Sequence, residues 1–368
     1  MLERGRAHAR AATCATVLVA VCGSLTTACI GSSSEATQTE ASPPATSAVA
    51  PSSPPPVHSP KPKPTPKPRR SPIVDPSNPV APGFVPESVA FWNEDDGLLA
   101  GWVYRYKNSG RSDGAIAVTH DGGSSWHVSL KVPSPAREVS VAPDRAAFAT
   151  VGARSPKIVV SRDEGASWAV LPGSKGLSQP AFITTTDGWA VKGGRQLVRL
   201  SATGVRRMPD PCEPSVVDIS FPANGGGRGW LACAGEPGAG NQPKEIYETN
   251  DGGASWEVRA RCRPDKDPSK ECTGGLGANG YLTGISFLPD GSGWLTEYRG
   301  TFYETSDGGL SWIPRLGFQA PEVAFGSGPW RVDDELGFVI EARPFGVVLN
   351  RTEDGGETWS RLATFPHL

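Results

Sequence analysis

Five aspartates, Asp121, Asp163, Asp251, Asp307 and Asp354, each follow a hydroxyl residue by two positions: Thr119, Ser161, Thr249, Thr305 and Thr352. A carboxylate beside a hydroxyl can ligate a hard cation or relay a proton, so these pairs are the first candidates for chemistry. The run Glu297-Tyr298-Arg299 is a second candidate, since it sets an acid, a phenol and a base side by side at a possible ligand-facing position. Four cysteines, Cys212, Cys233, Cys262 and Cys272, form a third group. Their spacing contains no C-x₂₋₄-C pair and no histidine lies near them, so a zinc site is disfavoured. An even number of cysteines in an exported chain points to disulfides instead. Of the three possible connectivities, Cys212–Cys233 and Cys262–Cys272 are preferred. No metal and no cofactor is expected.

The surroundings of the aspartates argue for architecture rather than catalysis. Each is followed by a glycine at the second position, Gly123, Gly165, Gly253, Gly309 and Gly356, and by a tryptophan three residues later, Trp126, Trp168, Trp256, Trp312 and Trp359. The carboxylate can gather backbone N–H groups across a tight turn, and the hydroxyl can support it. Glycine supplies a positive φ, and the tryptophan opens the next strand with a large apolar face. The spacing lacks the bidentate glutamate of an EF-hand loop. Copies of one turn are spread around a molecule, whereas a catalytic site needs groups that converge.

The pattern Ser/Thr-x-Asp-x-Gly-x-x-Trp resembles the Asp-box, or BNR repeat, of sialidases, sortilin-type receptors and photosystem II assembly factors. That resemblance implies a propeller scaffold. Sialidases carry an Arg-Ile-Pro motif near the start of the propeller, and this sequence has none. Their tyrosine nucleophile works with a glutamate and with arginines from different blades. Glu297, Tyr298 and Arg299 are consecutive, and in a strand they cannot all face one site. The expectation is a binding or assembly module without enzymatic activity, and glycoside hydrolysis is the lesser reading.

The aspartates are separated by 42, 88, 56 and 47 residues, and the 88 is two periods of 44. A unit lacking the motif is therefore expected near residue 203, where Leu200 to Val205 stands. A second element precedes each turn, an apolar strand followed by glycine and a bulky residue: Val89 to Phe91 before Gly97, Phe182 before Gly188-Trp189, Ile219-Ser220-Phe221 before Gly229-Trp230, and Ile285-Ser286-Phe287 before Gly293-Trp294. Weaker copies lead to Gly337-Phe338 and span Val139 to Phe148. Units of 40–50 residues with about four short strands are the pattern of a β-propeller. The fold expected over 83–368 is all-β, a single propeller of six blades, with seven as the alternative. The stretches 234–245 and 259–280 interrupt the period and read as loops of blades four and five that could serve recognition.

The N-terminus differs in kind. Arg4, Arg6 and Arg10 precede an apolar run from Ala11 to about Cys22, the order of a secretory signal. Leu25-Thr26-Thr27-Ala28-Cys29 resembles a bacterial lipobox, which implies cleavage after residue 28 and a diacylglyceryl group on Cys29. Residues 30–82 hold 15 prolines and no Phe, Trp or Tyr, a composition expected to form a disordered tether from Cys29 to Pro82. Eight of the 36 basic and four of the 38 acidic residues precede Gly83, so the propeller carries 28 against 34, about −6. Nothing in this balance points to nucleic acid. The expected molecule is a monomer on the outer face of the bacterial cell membrane, facing an envelope protein or, alternatively, a wall polymer or small ligand.

Overall fold

The computed structural model describes residues 79–103, 113–263, 272–299, 301–315, 324–326 and 328–366. The signal segment 1–28, the lipid-bearing Cys29 and nearly all of the tether lie outside these residues, as does part of the 259–280 loop. No helix among the described residues is long and apolar enough to cross a membrane.

Strands account for the regular structure, and they group by fours. The first group is β1 (Phe84–Phe91), β2 (Gly97–Val103), β3 (Asp113–Thr119) and β4 (His127–Val132). The second is β5 (Ala136–Val141), β6 (Ala147–Val151), β7 (Lys157–Ser161) and β8 (Ala169–Val170). The third is β9 (Leu177–Thr184), β10 (Asp187–Lys192), β11 (Gln196–Ser201) and β12 (Gly204–Arg207). The fourth is β13 (Ser215–Ser220), β14 (Gly229–Ala234), β15 (Lys244–Thr249) and β16 (Glu257–Cys262). The fifth is β17 (Tyr281–Phe287), β18 (Gly293–Tyr298), β19 (Thr301–Thr305) and β20 (Ile313–Arg315). In the sixth the inner strand is split into β21 (Ala324–Phe325) and β22 (Trp330–Arg331), followed by β23 (Gly337–Arg343), β24 (Gly346–Thr352) and β25 (Ser360–Pro366). Each group is an antiparallel meander in chain order, which makes six blades. A single pairing, Tyr298 with Ala324, joins the sheets of blades five and six.

The burial pattern follows from stacking blade on blade. Second strands are covered on both faces, so β6 and β14 are apolar or small throughout and fully buried. Outer strands such as β8 and β12 face solvent. At most junctions an aromatic from the second strand of one blade lies flat on the inner strand of the next. Phe148 stacks on Phe182 at 3.8 Å, Trp189 on Phe221 at 3.6 Å and Trp230 on Phe287 at 4.1 Å. Phe338 stacks on Phe91 at 3.7 Å and closes blade six onto blade one. At the fifth junction the guanidinium of Arg331 takes the aromatic's place, 4.6 Å from the Trp294 ring. The second-strand glycines are needed here: a Cβ on Gly229 would sit 2.2 Å from the Phe221 ring.

Among the described residues, ring closure involves no exchange of strands. β1 pairs with β2 alone and β25 with β24 alone. Blades six and one meet through an apolar cluster that includes Phe84, Phe91, Phe338, Leu349 and Phe365.

The two disulfides pair as the spacing suggested. Cys212–Cys233 ties the lead into β13 to β14, and Cys262–Cys272 closes the loop after β16.

Candidate functional site

The five Ser/Thr-x-Asp turns join third to fourth strands in blades one, two, four, five and six. In each the Ser/Thr hydroxyl donates to the Asp carboxylate at 2.7–2.8 Å and accepts the glycine N–H at 2.8–3.0 Å. The carboxylate also accepts the N–H of the residue four positions on, at 2.8–2.9 Å. All of these partners belong to the turn itself. The carboxylates are thus committed locally, and they do not meet one another. In blade three, Ser201 to Gly204 replaces the motif with a short turn at the expected place.

The tryptophans that follow the second-strand glycines reach across to the next blade's turn. Trp189 donates through Nε1 to Gly252 O at 3.2 Å, and Trp230 donates to Gly308 O at 3.1 Å. Turns also dock on the first hairpin of their own blade, as in Gly122 N–H to Asp95 O at 2.9 Å and Gly355 N–H to Glu335 O at 2.8 Å. In blade two, Glu164 occupies the corresponding position at φ 61°, and its carboxylate pairs with Arg145 instead.

Hydrogen bonds from the Ser255 hydroxyl and N–H, and likewise from Thr358, hold the Asp251 and Asp354 carboxyls down to about 2. The folded value lies below the unfolded one, so the stabilisation is present above about pH 4 and is lost as pH falls toward 2. Asp354→Asn should lower the melting temperature at pH 7, with the difference shrinking toward pH 2. An equal loss at both pH values would contradict this account.

Glu297 is corrected as a ligand-facing residue. Alternation along β18 turns it inward, fully buried, with its carboxylate 2.6 Å from the ammonium of Lys244 on β15. Lys244 Nζ also donates to Gly277 O at 2.9 Å and Asn279 O at 2.7 Å. Burial pushes the Glu297 carboxyl up and the Lys244 ammonium down, each held back by the other's charge. The pair pins the start of β15 and the loop around 279 onto blade five. Tyr298 is exposed and stacks near Tyr281, with ring centroids 6.2 Å apart. Arg299 covers Gly240 at the opposite end of the ring from the Asp turns. The three side chains do not converge.

The site that the fold does build is the central channel, a cavity of about 650 Å³ lined by inner strands and first hairpins from all six blades. The Asp turns do not mark its residues. Side chains of one inner strand bond the backbone of the next. Ser88 Oγ accepts Val139 N–H at 3.0 Å, Asp218 accepts Ile285 N–H at 2.9 Å, Ser220 accepts Phe287 N–H at 2.9 Å and Ser286 accepts Arg331 N–H at 3.0 Å. Gln179 donates to Val217 O at 2.6 Å, and Trp330 Nε1 completes the circuit to Phe91 O at 2.9 Å. The repeated Ile-Ser-Phe was the available signal, since the serine between the two apolar residues recurs in blades four and five.

Ser140 is one exception, and Glu138 Oε2 and Gln179 Oε1 are likewise without a partner at the channel wall. Ser140 is 5% exposed and lines the cavity, and its hydroxyl has no hydrogen-bond partner. Burial pushes the Asp218 carboxyl up to about 7, against the pull of two backbone N–H bonds. A raised folded value means this group's contribution is full below about pH 4 and is lost as pH rises through 7. Between about pH 4 and 7 the protein should therefore lose stability, and Asp218→Asn should flatten that slope whatever its absolute cost. A slope unchanged by the substitution would exclude Asp218 as its source.

No family model matches the chain, and no curated protein matches it either. Among solved structures it is similar to YCF48 bound to a D1 peptide, at 17% identity and TM-score 0.46, covering 77% of this chain and 82% of that one. It is also similar to YCF48 from Cyanidioschyzon merolae, at 16% identity and TM-score 0.43, covering 77% and 86%. A third likeness is to the β-propeller domain of the trilobed protease from Pyrococcus furiosus, at 11% identity and TM-score 0.46, covering 77% and 98%. Likenesses at these values bear on no claim about role.

Proposed function

We propose that this chain is a non-enzymatic, extracytoplasmic binding module of Asp-box type, held at the outer face of the cell membrane through Cys29. The channel receives a segment of a protein partner at the end where the Asp turns lie. The observation that supports this reading is the cavity itself, about 650 Å³ and ringed by the first hairpins of six blades. Its polar side chains mostly serve to join neighbouring inner strands, so it is a rigid receptacle rather than an aligned acid–base pair.

Ser140→Trp fills the wall of the channel and should abolish retention of the partner by the full-length protein in envelope extracts, in a variant shown to be folded by its circular dichroism. Undiminished retention by this folded variant would remove the channel from the reading. Cys29→Ala should release the protein from the membrane fraction, and continued membrane association would refute the anchor. The Tyr281–Tyr298 pair at the other end favours a second reading, a receptor for an envelope glycan. Retention of wall glycans, lost in Tyr298→Ala, would establish it. Turnover of a fluorogenic sialoside, abolished by Tyr298→Phe, would overturn the non-enzymatic assignment.

A further inference from the structure

Charge around the channel mouth is unevenly placed. In blade three's first hairpin Asp187 pairs with Arg199, and in blade four's Arg228 pairs with Glu248. On the other side, the first hairpins of blades five, six and one carry Asp290, Asp333, Asp334, Glu335, Glu94 and Asp95, all exposed. Asp290, Asp333 and Asp334 line the cavity directly. Asp290 accepts Ser292 N–H at 2.8 Å, and Asp333 accepts Glu335 and Leu336 N–H at 2.9 and 2.8 Å. These bonds fix the orientation of the two carboxylates without neutralising them.

Guanidinium groups stand near this cluster: Arg228, already paired with Glu248, donates to Pro289 O at 3.2 Å beside Asp290. Arg331 is buried beneath it, over Trp294, and donates to Ser292 Oγ at 3.1 Å. Arg351 pairs with Glu353 at 2.8 Å. The cluster therefore keeps a strong excess of negative charge at the rim of a low-dielectric cavity, where field lines concentrate. Deeper in the same cavity, the unpartnered hydroxyl of the buried Ser140 offers a hydrogen bond that nothing in the fold takes up.

We propose that the mouth between blades five, six and one binds a lysine- or arginine-rich segment of the protein partner, with a basic side chain entering the channel past Asp333 and Asp334. This rests on the channel reading above and specifies the chemistry of the occupant. Anionic polymers, nucleic acid and teichoic-type chains included, are repelled by the same field.

The test is an anisotropy titration of the purified full-length protein with three fluorescent ten-residue peptides, lysine-rich, neutral and glutamate-rich. The lysine-rich peptide should bind more tightly than the others, and its affinity should fall as NaCl rises from 50 to 300 mM. Asp333→Asn/Asp334→Asn keeps the oxygen that accepts the turn's N–H groups and should weaken that binding about tenfold or more. Glu257→Gln, on an outer strand, should leave it unchanged. Equal binding of all three peptides, or an unaffected double variant, overturns the proposal. If Ser140→Trp abolishes partner retention while the Asp double variant keeps it, the channel reading stands and the basic occupant is wrong. If both variants retain the partner, the channel reading falls first.

Discussion

Phe338→Ala is expected to destabilise the folded protein by about 3–5 kcal/mol, or roughly 8–15 °C in melting temperature. Phe338 is fully buried and lies parallel to Phe91 at 3.7 Å, so its removal leaves a cavity between two rigid sheets. From β1 to β25 the chain crosses five of the six blade junctions and not the sixth. There, the stack is supported by the edge contact of Phe84 with Phe365 at 5.9 Å and by the bond from Trp330 to Phe91 O. Phe148→Ala removes a comparable aromatic from the junction of blades two and three, where the chain still holds the neighbours together. The two variants should lose similar stability but differ in where they open. Limited proteolysis of Phe338→Ala should cut first in blades one and six, whereas Phe148→Ala should show no such preference. A loss below about 1 kcal/mol in Phe338→Ala would mean that closure depends on something other than this stack.

The second large effect concerns Lys244 and Glu297. Glu297→Leu leaves a buried ammonium without its counter-charge, and the expected cost is about 3–5 kcal/mol. Lys244→Met should cost a similar amount, because it strands the carboxylate together with the carbonyls of Gly277 and Asn279. The double variant Lys244→Met/Glu297→Leu should recover much of either single loss, since no buried charge remains. Urea unfolding of the three variants measures this coupling directly. Additive losses would show that the two residues act independently. Because the pair secures the start of β15 and the loop around 279, the single variants should also speed proteolysis there before global unfolding.

The parts that were legible in the sequence are those whose partners lie within a few residues. Thr119, Asp121 and Gly123 bond one another, so their spacing already specifies a turn, and five copies specify a ring. The blade without the motif was readable because an 88-residue gap is two periods. Contacts between blades were hidden by distance. Trp189 meets Gly252 O across 63 residues, and Lys244 meets Glu297 across 53, with nothing local to announce either. Glu297 shows the cost of reading neighbours in sequence as neighbours in space. Its alternation along β18 sends it away from Tyr298 and into the protein. The channel residues were the least visible, because Ser88, Ser140 and Asp218 sit in inner strands with a β-bulge and carry no repeated signature.

The uncrossed junction has a mechanical consequence. Pro79 bridges to His127 on β4, Val80 packs into the cluster between blades six and one, and β1 begins five residues after Pro79. A pull along the residues preceding Pro79 is thus delivered to blade one, beside the junction that the described residues do not cross. The other five junctions share such a load along the backbone, whereas this one resists it through packed rings, one indole N–H bond and one guanidinium bond, from Arg351 Nη1 to Glu94 O at 3.3 Å. Under tension the ring behaves as a clasp whose weakest point adjoins its point of attachment, and the channel wall at blades six and one would part before any blade lost its ladder.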